Sequence, residues 1–192
     1  MAKKTKKLNP RRIPIAKREI NENAILEEAT KDDLYHAWLL VFCALYELNL
    51  VPFDTFPDLT ESVNQYIRIP AKNEEHHRED SKRAERLMGI PCPRIHMNID
   101  QIRSSVELER FKQKVTKVAT YTALGVLCLG LEYTGQFTSQ DLRHIFLHAD
   151  LTQAEIEHGV STYKELENQL ATWGMMIERE SDDLHHAHLS ES

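Results

Sequence analysis

Glycine and proline are scarce in this sequence, with 6 Gly and 7 Pro among 192 residues. A β-sandwich or β-barrel needs many tight turns, and those turns draw heavily on these two residues. Their scarcity therefore favours helices over a many-turned sheet. The hydrophobic fraction of 41% and the charged fraction of 28% are ordinary for a folded domain with a sizeable core. We predict an all-α fold, a helical bundle with two central apolar helices.

Cysteine is also scarce, and the three cysteines are an odd number. Cys43 and Cys128 lie inside apolar segments, where a thiol behaves as a small hydrophobe, so we predict no disulfide framework. Cys92 and His96 have a C-x3-H spacing, but there is no C-x2-C pair, and prolines flank Cys92 as in an ordinary loop. Other candidate metal ligands are His76, His77, His185, His186 and His188. We predict no metal site and no cofactor.

Long uncharged runs are absent. Residues 118–131 form a run of 14 residues without a charge, and residues 34–46 partly repeat its character. Both are shorter than the roughly 20 residues that span a bilayer, so we expect buried core helices and no membrane contact. The basic start meets Pro10 and Pro14 instead of an apolar signal region, which makes the cytoplasm the expected location.

Acidic residues are missing from the first 18 positions, which carry a charge of +8 in a chain of net charge −6, so the remainder carries −14. Because two prolines interrupt any helix there, we predict a basic flexible arm at residues 1–18. The arm is either a solvated tail or a contact for nucleic acid or an acidic partner. Without aromatic residues, nucleic-acid contacts would be non-specific and to phosphate. The candidate contact residues are Lys3, Lys4, Lys6, Lys7, Arg11, Arg12, Lys17 and Arg18.

Residues 19–70 are predicted to form an N-terminal helical half. Asn23 and Thr30 are two candidate helix starts, and the apolar helix ends near Leu48. An amphipathic helix follows at about residues 58–69, after Pro57. A polar linker and loop occupy residues 71–97, and the segment 71–86 is either a solvated helix or a disordered linker.

Residues 98–178 are predicted to form a C-terminal helical half. Its long first helix ends near Tyr133 and is followed by a short helix that starts at Thr138. The pattern T-x-x-E at Thr152 predicts a capping box that starts a last helix ending near Ile177. Residues 179–192 are predicted to be a fraying acidic tail. Alternative caps of the long helix are Asn98, Asp100, Ser104 and Ser105.

The two halves also suggest a duplicated helical unit. At an offset of 86 residues, Ala37 aligns with Ala123, and Ala44 aligns with Gly130. Each pair of small residues is seven apart and lies on one face of its helix, where small side chains let two helix axes approach closely. The alternative is that two helices rich in Leu and Ala align by chance.

Patterns for catalysis and for sequence-specific DNA binding are weak. His144 and His148 are four residues apart, but no Glu lies between them as in H-E-x-x-H, and no Gly-rich phosphate loop occurs. Residues 138–170 have the spacing of a helix-turn-helix, but its second helix is strongly acidic and would repel phosphates. We therefore predict a protein that is not an enzyme and does not read DNA with this segment.

One short segment resembles a known group. Residues 9–14 read N-P-R-R-I-P, and residues 35–38 read Y-H-A-W within an apolar stretch. In this respect the chain resembles small helical proteins of Gram-positive phages and mobile elements that begin N-P-R-R-x-P. The similarity covers roughly residues 8–48, and those proteins are usually single helical units. The resemblance implies a phage or mobile-element origin and no particular activity.

These observations predict a non-enzymatic protein-interaction protein of a phage or mobile element, either an inhibitor or an accessory factor acting on a host or phage protein. Its acidic body is complementary to a basic surface on a partner. The alternative is a nucleic-acid-associated accessory protein that uses the basic arm. A homodimer is a further expectation, because apolar helices of small proteins often complete their core across a twofold axis.

Overall fold

The computed structural model describes residues 32–68, 74–91, 102, 104–181 and 184–189. Within these ranges it is mostly helical, which confirms the predicted all-α class. The described residues form six α-helices in the order α1 (Asp33–Glu47), α2 (Phe56–Ile67), α3 (Glu74–Met88), α4 (Ser105–Tyr133), α5 (Ser139–Glu157) and α6 (Tyr163–Thr172). A short 3-10 turn (Phe53–Thr55) precedes α2, and two strands follow α6, β1 (Met175–Ser181) and β2 (Leu184–Leu189).

Helix starts follow the capping chemistry of the sequence. Ser104, one of the predicted caps, accepts a hydrogen bond from the backbone N–H of Glu107 at 3.4 Å and starts α4. Thr138 is the predicted start of α5, and it forms a reciprocal capping box with Asp141. Of the starts predicted for α1, Asn23 and Thr30 lie outside the described residues, and the observed helix begins after Asp32.

The hydrophobic core is centred on α1 and α4, the two helices that carry the predicted uncharged runs. All residues from Ala37 to Leu45 are buried, so α1 contacts other elements on every side. Trp38 stacks on Phe42, and Phe42 stacks on Phe56 of α2, with ring centroids 4.7 and 5.3 Å apart. Such stacked pairs contribute about 0.5–1.5 kcal/mol beyond their buried area. The aromatic stack therefore fixes α2 to the centre of the fold.

Small residues of α4 allow two other helices to approach it closely. A Cβ added to Gly130 would lie 2.6 Å from Cγ1 of Val63 in α2. A Cβ added to Gly125 would lie 3.4 Å from Cβ of Ala84 in α3. Gly130 is thus a position where the backbone itself is the packing surface.

The helix that follows each central helix packs on the other central helix. The α2 helix packs on α4, and α5 packs on α1, while α1 and α4 pack on each other. Both predicted halves contribute to one hydrophobic cluster. The domain boundaries and the duplicated unit remain predictions.

The sequence of the polar segment at 71–86 allows a solvated helix or a disordered linker, and the described part of this segment is helical. The α3 helix packs on α4 and α5 through Ala84, Leu87 and Met88, which are buried. Helix α3 extends to Met88, so the loop predicted from residue 87 starts later.

The prediction of a last helix that is capped by Thr152 and ends near Ile177 is wrong at both ends. Residues 152–155 lie inside α5, where the Thr152 hydroxyl donates backward to the His148 carbonyl at 3.1 Å instead of capping a new helix. The actual break is at Gly159, which has φ of 71°, and α6 starts only after Thr162. Val160, which lies between the two helices, is 73% exposed.

The predicted fraying tail instead contains an antiparallel hairpin. Met175 pairs with Leu189 and Ile177 pairs with Ala187, so buried Met175 and Ala187 lie on the face that joins the core. Gly174, with φ of 86°, makes the turn that ends α6 and starts β1. The hairpin packs on α2 and α6, which gives the all-α fold a small β addition.

By length and composition, one helix within the described ranges, α4, could cross a membrane. However, 67% of its most apolar window is buried inside the protein, which is compatible with a core helix of a soluble protein.

Candidate functional site

Helix α5 places two leucines on the side that faces solvent. Its inner stripe of Leu142, Ile145, Phe146 and Ala149 is completely buried. Leu147 and Leu151 are instead 53% and 60% exposed, and because they are four residues apart they lie on one face of the helix. His144 and Glu155 extend this face by one turn in each direction. We call these four residues the outer α5 surface.

Helices α5 and α6 together carry more acids than bases. Helices α5 and α6 carry only Arg143 and Lys164 as cations. Their carboxylates are Asp141, Asp150, Glu155, Glu157, Glu165 and Glu167. Burial raises the pKa of Asp150, although Lys117 opposes this shift. One turn from the two leucines lie Arg143, His144 and Glu155, so the apolar pair has a polar edge. An apolar centre with a polar edge resembles the composition of a protein-contact patch.

A separate groove of about 760 Å³ lies between the first half of α4 and the end of α5. We call it the α4–α5 groove. On the α4 side its lining residues are Glu107, Arg110, Lys112, Gln113, Lys114, Thr116 and Lys117. On the other side they are Gln153, Ile156, Glu157 and Tyr163. The groove therefore has four cations and two carboxylates in its lining.

A chain of polar contacts connects the two walls of the α4–α5 groove. Lys117 Nζ lies 2.8 Å from Glu157 Oε2. Gln153 donates from Nε2 to Glu157 Oε1 at 3.3 Å, and its own Oε1 accepts the Tyr163 hydroxyl. Glu157 is thus neutralised by Lys117, while Arg110 and Lys114 have no ion-pair partner among the residues that the structure describes.

The inner end of this chain is an aromatic stack. The His36 ring stacks on Tyr163 with centroids 3.7 Å apart and planes inclined by 8°. Burial lowers the pKa of His36, and the nearby Asp32 only partly offsets this, so the ring is neutral near pH 7. Burial also raises the pKa of Tyr163. The buried Thr120 hydroxyl lies close enough to affect that phenol, but it makes no hydrogen bond of ordinary geometry.

A smaller pocket of about 250 Å³ lies between α1, α6 and β1. Its lining includes Leu39, Leu170 and Ile177, and its polar edge is a contact in which Tyr35 donates to Glu167 at 3.1 Å. Lys164 lies 2.6 Å from the same carboxylate. Burial and the Glu167 contact raise the pKa of Tyr35 to about 12. The polar groups at this edge of the pocket, Tyr35, Lys164 and Glu167, are thus paired with one another.

The structure describes only some of the candidate site residues that the sequence indicated. The basic arm at 1–18, together with Cys92 and His96, lies outside the described residues. His144 is exposed, but His148 points to α1, with Nε2 2.8 Å from Oε2 of Glu47. The two histidines therefore do not form a pair of metal ligands. In the part of the chain that the structure describes, no cluster of three potential metal ligands occurs.

Two cysteines that were predicted to be core residues are confirmed as such. Cys43 and Cys128 are buried and free, and burial raises the pKa of each thiol to about 12. A thiol in this environment is a poor nucleophile.

Sequence reasoning missed both the outer α5 surface and the α4–α5 groove. A helical wheel alone does not show where burial stops, so it does not separate exposed Leu147 from its buried neighbours Ile145 and Phe146. Arg110, Lys114 and Lys117 share one face of α4 at i, i+4 and i+7, a signal that the net acidity of residues 19–192 concealed.

No protein-family model matches the chain, and no curated protein and no solved structure matches it.

Proposed function

We propose that this protein acts by binding another protein, without catalysis, and that the outer α5 surface is the contact. The observation that carries the proposal is the exposure of Leu147 and Leu151 on a helix whose inner face already fills the core. Two adjacent exposed leucines on a helix are the kind of i, i+4 anchor pair that a partner's groove accepts. Exposed apolar patches with a polar rim commonly mark interaction sites.

The net negative charge of α5 and α6 supports a partner with a basic surface. Such a charge attracts a cationic partner and disfavours acidic ones. Salt screens such long-range attraction, so complex formation should slow as ionic strength rises. A nucleic-acid-processing protein of the host offers a basic surface of this kind, which fits an inhibitor or an accessory factor of a phage or mobile element that acts in the cytoplasm.

The chemistry of the described nucleophile candidates also supports binding over catalysis. The thiols of Cys43 and Cys128 are buried with raised pKa values. His36, a histidine of the central helix, stacks on a tyrosine, and burial lowers its pKa.

The test uses the double variant Leu147→Glu/Leu151→Glu. Both side chains point to solvent, so the variant keeps its fold and loses only the apolar contact. The matched control is Val106→Glu on α4, because Val106 is also about half exposed, at 47%. We expect wild type and the control to retain the same specific partner from host extract, and the double variant to lose it. Absence of any specific partner, or equal loss in the control, would contradict the proposal.

The alternative function is a nucleic-acid-associated accessory protein that uses Lys3, Lys4, Lys6, Lys7, Arg11, Arg12, Lys17 and Arg18. The excess of cations in residues 1–18 favours it. Deleting residues 1–18 should then abolish retention on DNA or RNA at low salt, and unchanged retention would exclude this function.

A further inference from the structure

We propose that the α4–α5 groove binds a small phosphate-bearing ligand. This inference is independent of the outer α5 surface and would hold with or without a protein partner. Three observations carry it together, namely the size of the groove, the cations that line it and the hydrogen-bonding groups on its opposite wall.

The size of the groove fits a small molecule. Its volume of about 760 Å³ lies within the range of roughly 300–1,000 Å³ that is typical of ligand pockets. The lining residues Arg110, Gln113 and Lys114 are exposed, so a ligand can reach the groove from solvent.

The charges of the groove select an anion. Glu157 is compensated by Lys117 at 2.8 Å. Arg110 and Lys114, both exposed, have no ion-pair partner in the described ranges. They are four residues apart on α4, so their Cβ atoms are about 5–6 Å apart, a spacing that lets both side chains contact one phosphate group.

The opposite wall supplies neutral polar groups. Gln153 is 4% exposed and is held by Tyr163 and Glu157, so its amide is already oriented. Tyr163 is itself fixed by the parallel His36 ring at 3.7 Å. A ligand whose phosphate contacts Arg110 and Lys114 would place its remaining part against this rigid tyrosine edge.

The surroundings favour a short anion over a nucleic-acid strand. Helix α5 and the start of α6 form the other wall of the groove. Together these two helices have six carboxylates and two cations. A long polyanion would pass from the cationic face of α4 onto this acidic surface and be repelled.

Isothermal titration calorimetry of the full chain provides the test, with inorganic pyrophosphate, ADP and a single-stranded oligonucleotide as separate titrants at about 50 mM salt. We expect pyrophosphate to bind, and Arg110→Gln/Lys114→Gln to weaken this binding by about tenfold or more. Tighter binding of ADP than of pyrophosphate would support the proposal and assign the rest of the ligand to a nucleotide.

The charge-matched control is Lys82→Gln/Arg86→Gln on α3. Both residues are exposed cations, and α3 packs near Gly125 and Glu132, at the other end of α4 from the groove. We expect this control to bind like wild type. Three results would overturn the proposal: no heat with either pyrophosphate or ADP, equal weakening in the control, or oligonucleotide binding that is tighter than that of both small anions and is weakened by Arg110→Gln/Lys114→Gln, which separates the groove from the basic arm.

Discussion

Replacing Gly130 with alanine probes the closest helix contact of the fold. The new Cβ would lie 2.6 Å from Cγ1 of Val63, and two further carbons of Val63 lie at 3.4 and 3.5 Å. Carbon atoms pack best at about 3.5–4.0 Å, so α2 and α4 must separate by about 1 Å at this point. Val63 is completely buried, so its side chain has no open space into which it can turn.

The magnitude follows from two opposing effects. Overpacking of a core costs about 1–3 kcal/mol, whereas replacing a glycine inside a helix with alanine gains about 0.5–1 kcal/mol. We expect Gly130→Ala to lower the free energy of unfolding by about 1–2 kcal/mol, which for a chain of this size lowers Tm by about 2–8 °C. The measurement is urea unfolding followed by far-ultraviolet circular dichroism, in which the midpoint falls while the slope stays constant.

Gly125→Ala is the matched control on the same helix. Its new Cβ would meet Ala84 at 3.4 Å and Met88 at 3.8 Å, which are nearly ordinary contacts. We expect this variant to be as stable as wild type or more stable by up to about 1 kcal/mol. In a double-mutant cycle, Val63→Ala should offset part of the Gly130→Ala loss, with a coupling of about 1 kcal/mol or more. If Gly130→Ala proved as stable as Gly125→Ala, the close α2–α4 contact would be refuted.

Three further predictions concern titrating groups. The capping hydrogen bonds to Thr138 lower the pKa of Asp141. Asp141→Asn should therefore be less stable than wild type at neutral pH, and the difference in unfolding free energy should vanish when the pH falls below the lowered pKa. A difference that stays constant with pH would contradict this. Burial lowers the pKa of His36, so as the pH falls the unfolded chain binds a proton at this residue before the folded chain does. The free energy of unfolding should therefore decrease as the pH drops below about 6.5. His36→Phe keeps a stacking ring and should flatten this part of the pH profile, whereas an unchanged profile would argue against a buried neutral ring. In a Cys92→Ser variant, the two remaining thiols should react with Ellman's reagent only after denaturant is added, and fast labelling of native protein would show that they are not buried.

Local capping chemistry made part of the fold predictable. Ser104 and Thr138 start helices because a hydroxyl there satisfies backbone N–H groups that the helix leaves open. The uncharged run at 118–131 correctly indicated a core helix, since only burial on most faces compensates for such a composition.

The error in the last predicted helix came from a sequence pattern that is compatible with two different local structures. The T-x-x-E pattern at Thr152 can start a helix, but its hydroxyl can equally bond the carbonyl four residues back within a continuing helix, and that is what occurs. Which outcome wins depends on whether the chain before it is free to turn, and here α5 is already held on α1 by Ile145, Phe146 and Ala149.

The candidate sites depend on tertiary packing and were therefore not predictable. The exposure of Leu147 depends on how α1, α3 and α4 pack against α5. The α4–α5 groove combines cations of residues 110–117 with Gln153 and Tyr163, which are about 40 positions away in the chain. No local pattern links such residues.

Photocrosslinking from the outer α5 surface tests the proposed function most directly. Leu147 is replaced by photoreactive p-benzoylphenylalanine, and Val106 is replaced in the same way as the control. We predict that position 147 crosslinks to one defined host or phage protein, that added salt weakens the crosslink, and that position 106 does not give this product. Crosslinking of position 147 only to a second copy of this chain, or the same products from both positions, would contradict the account.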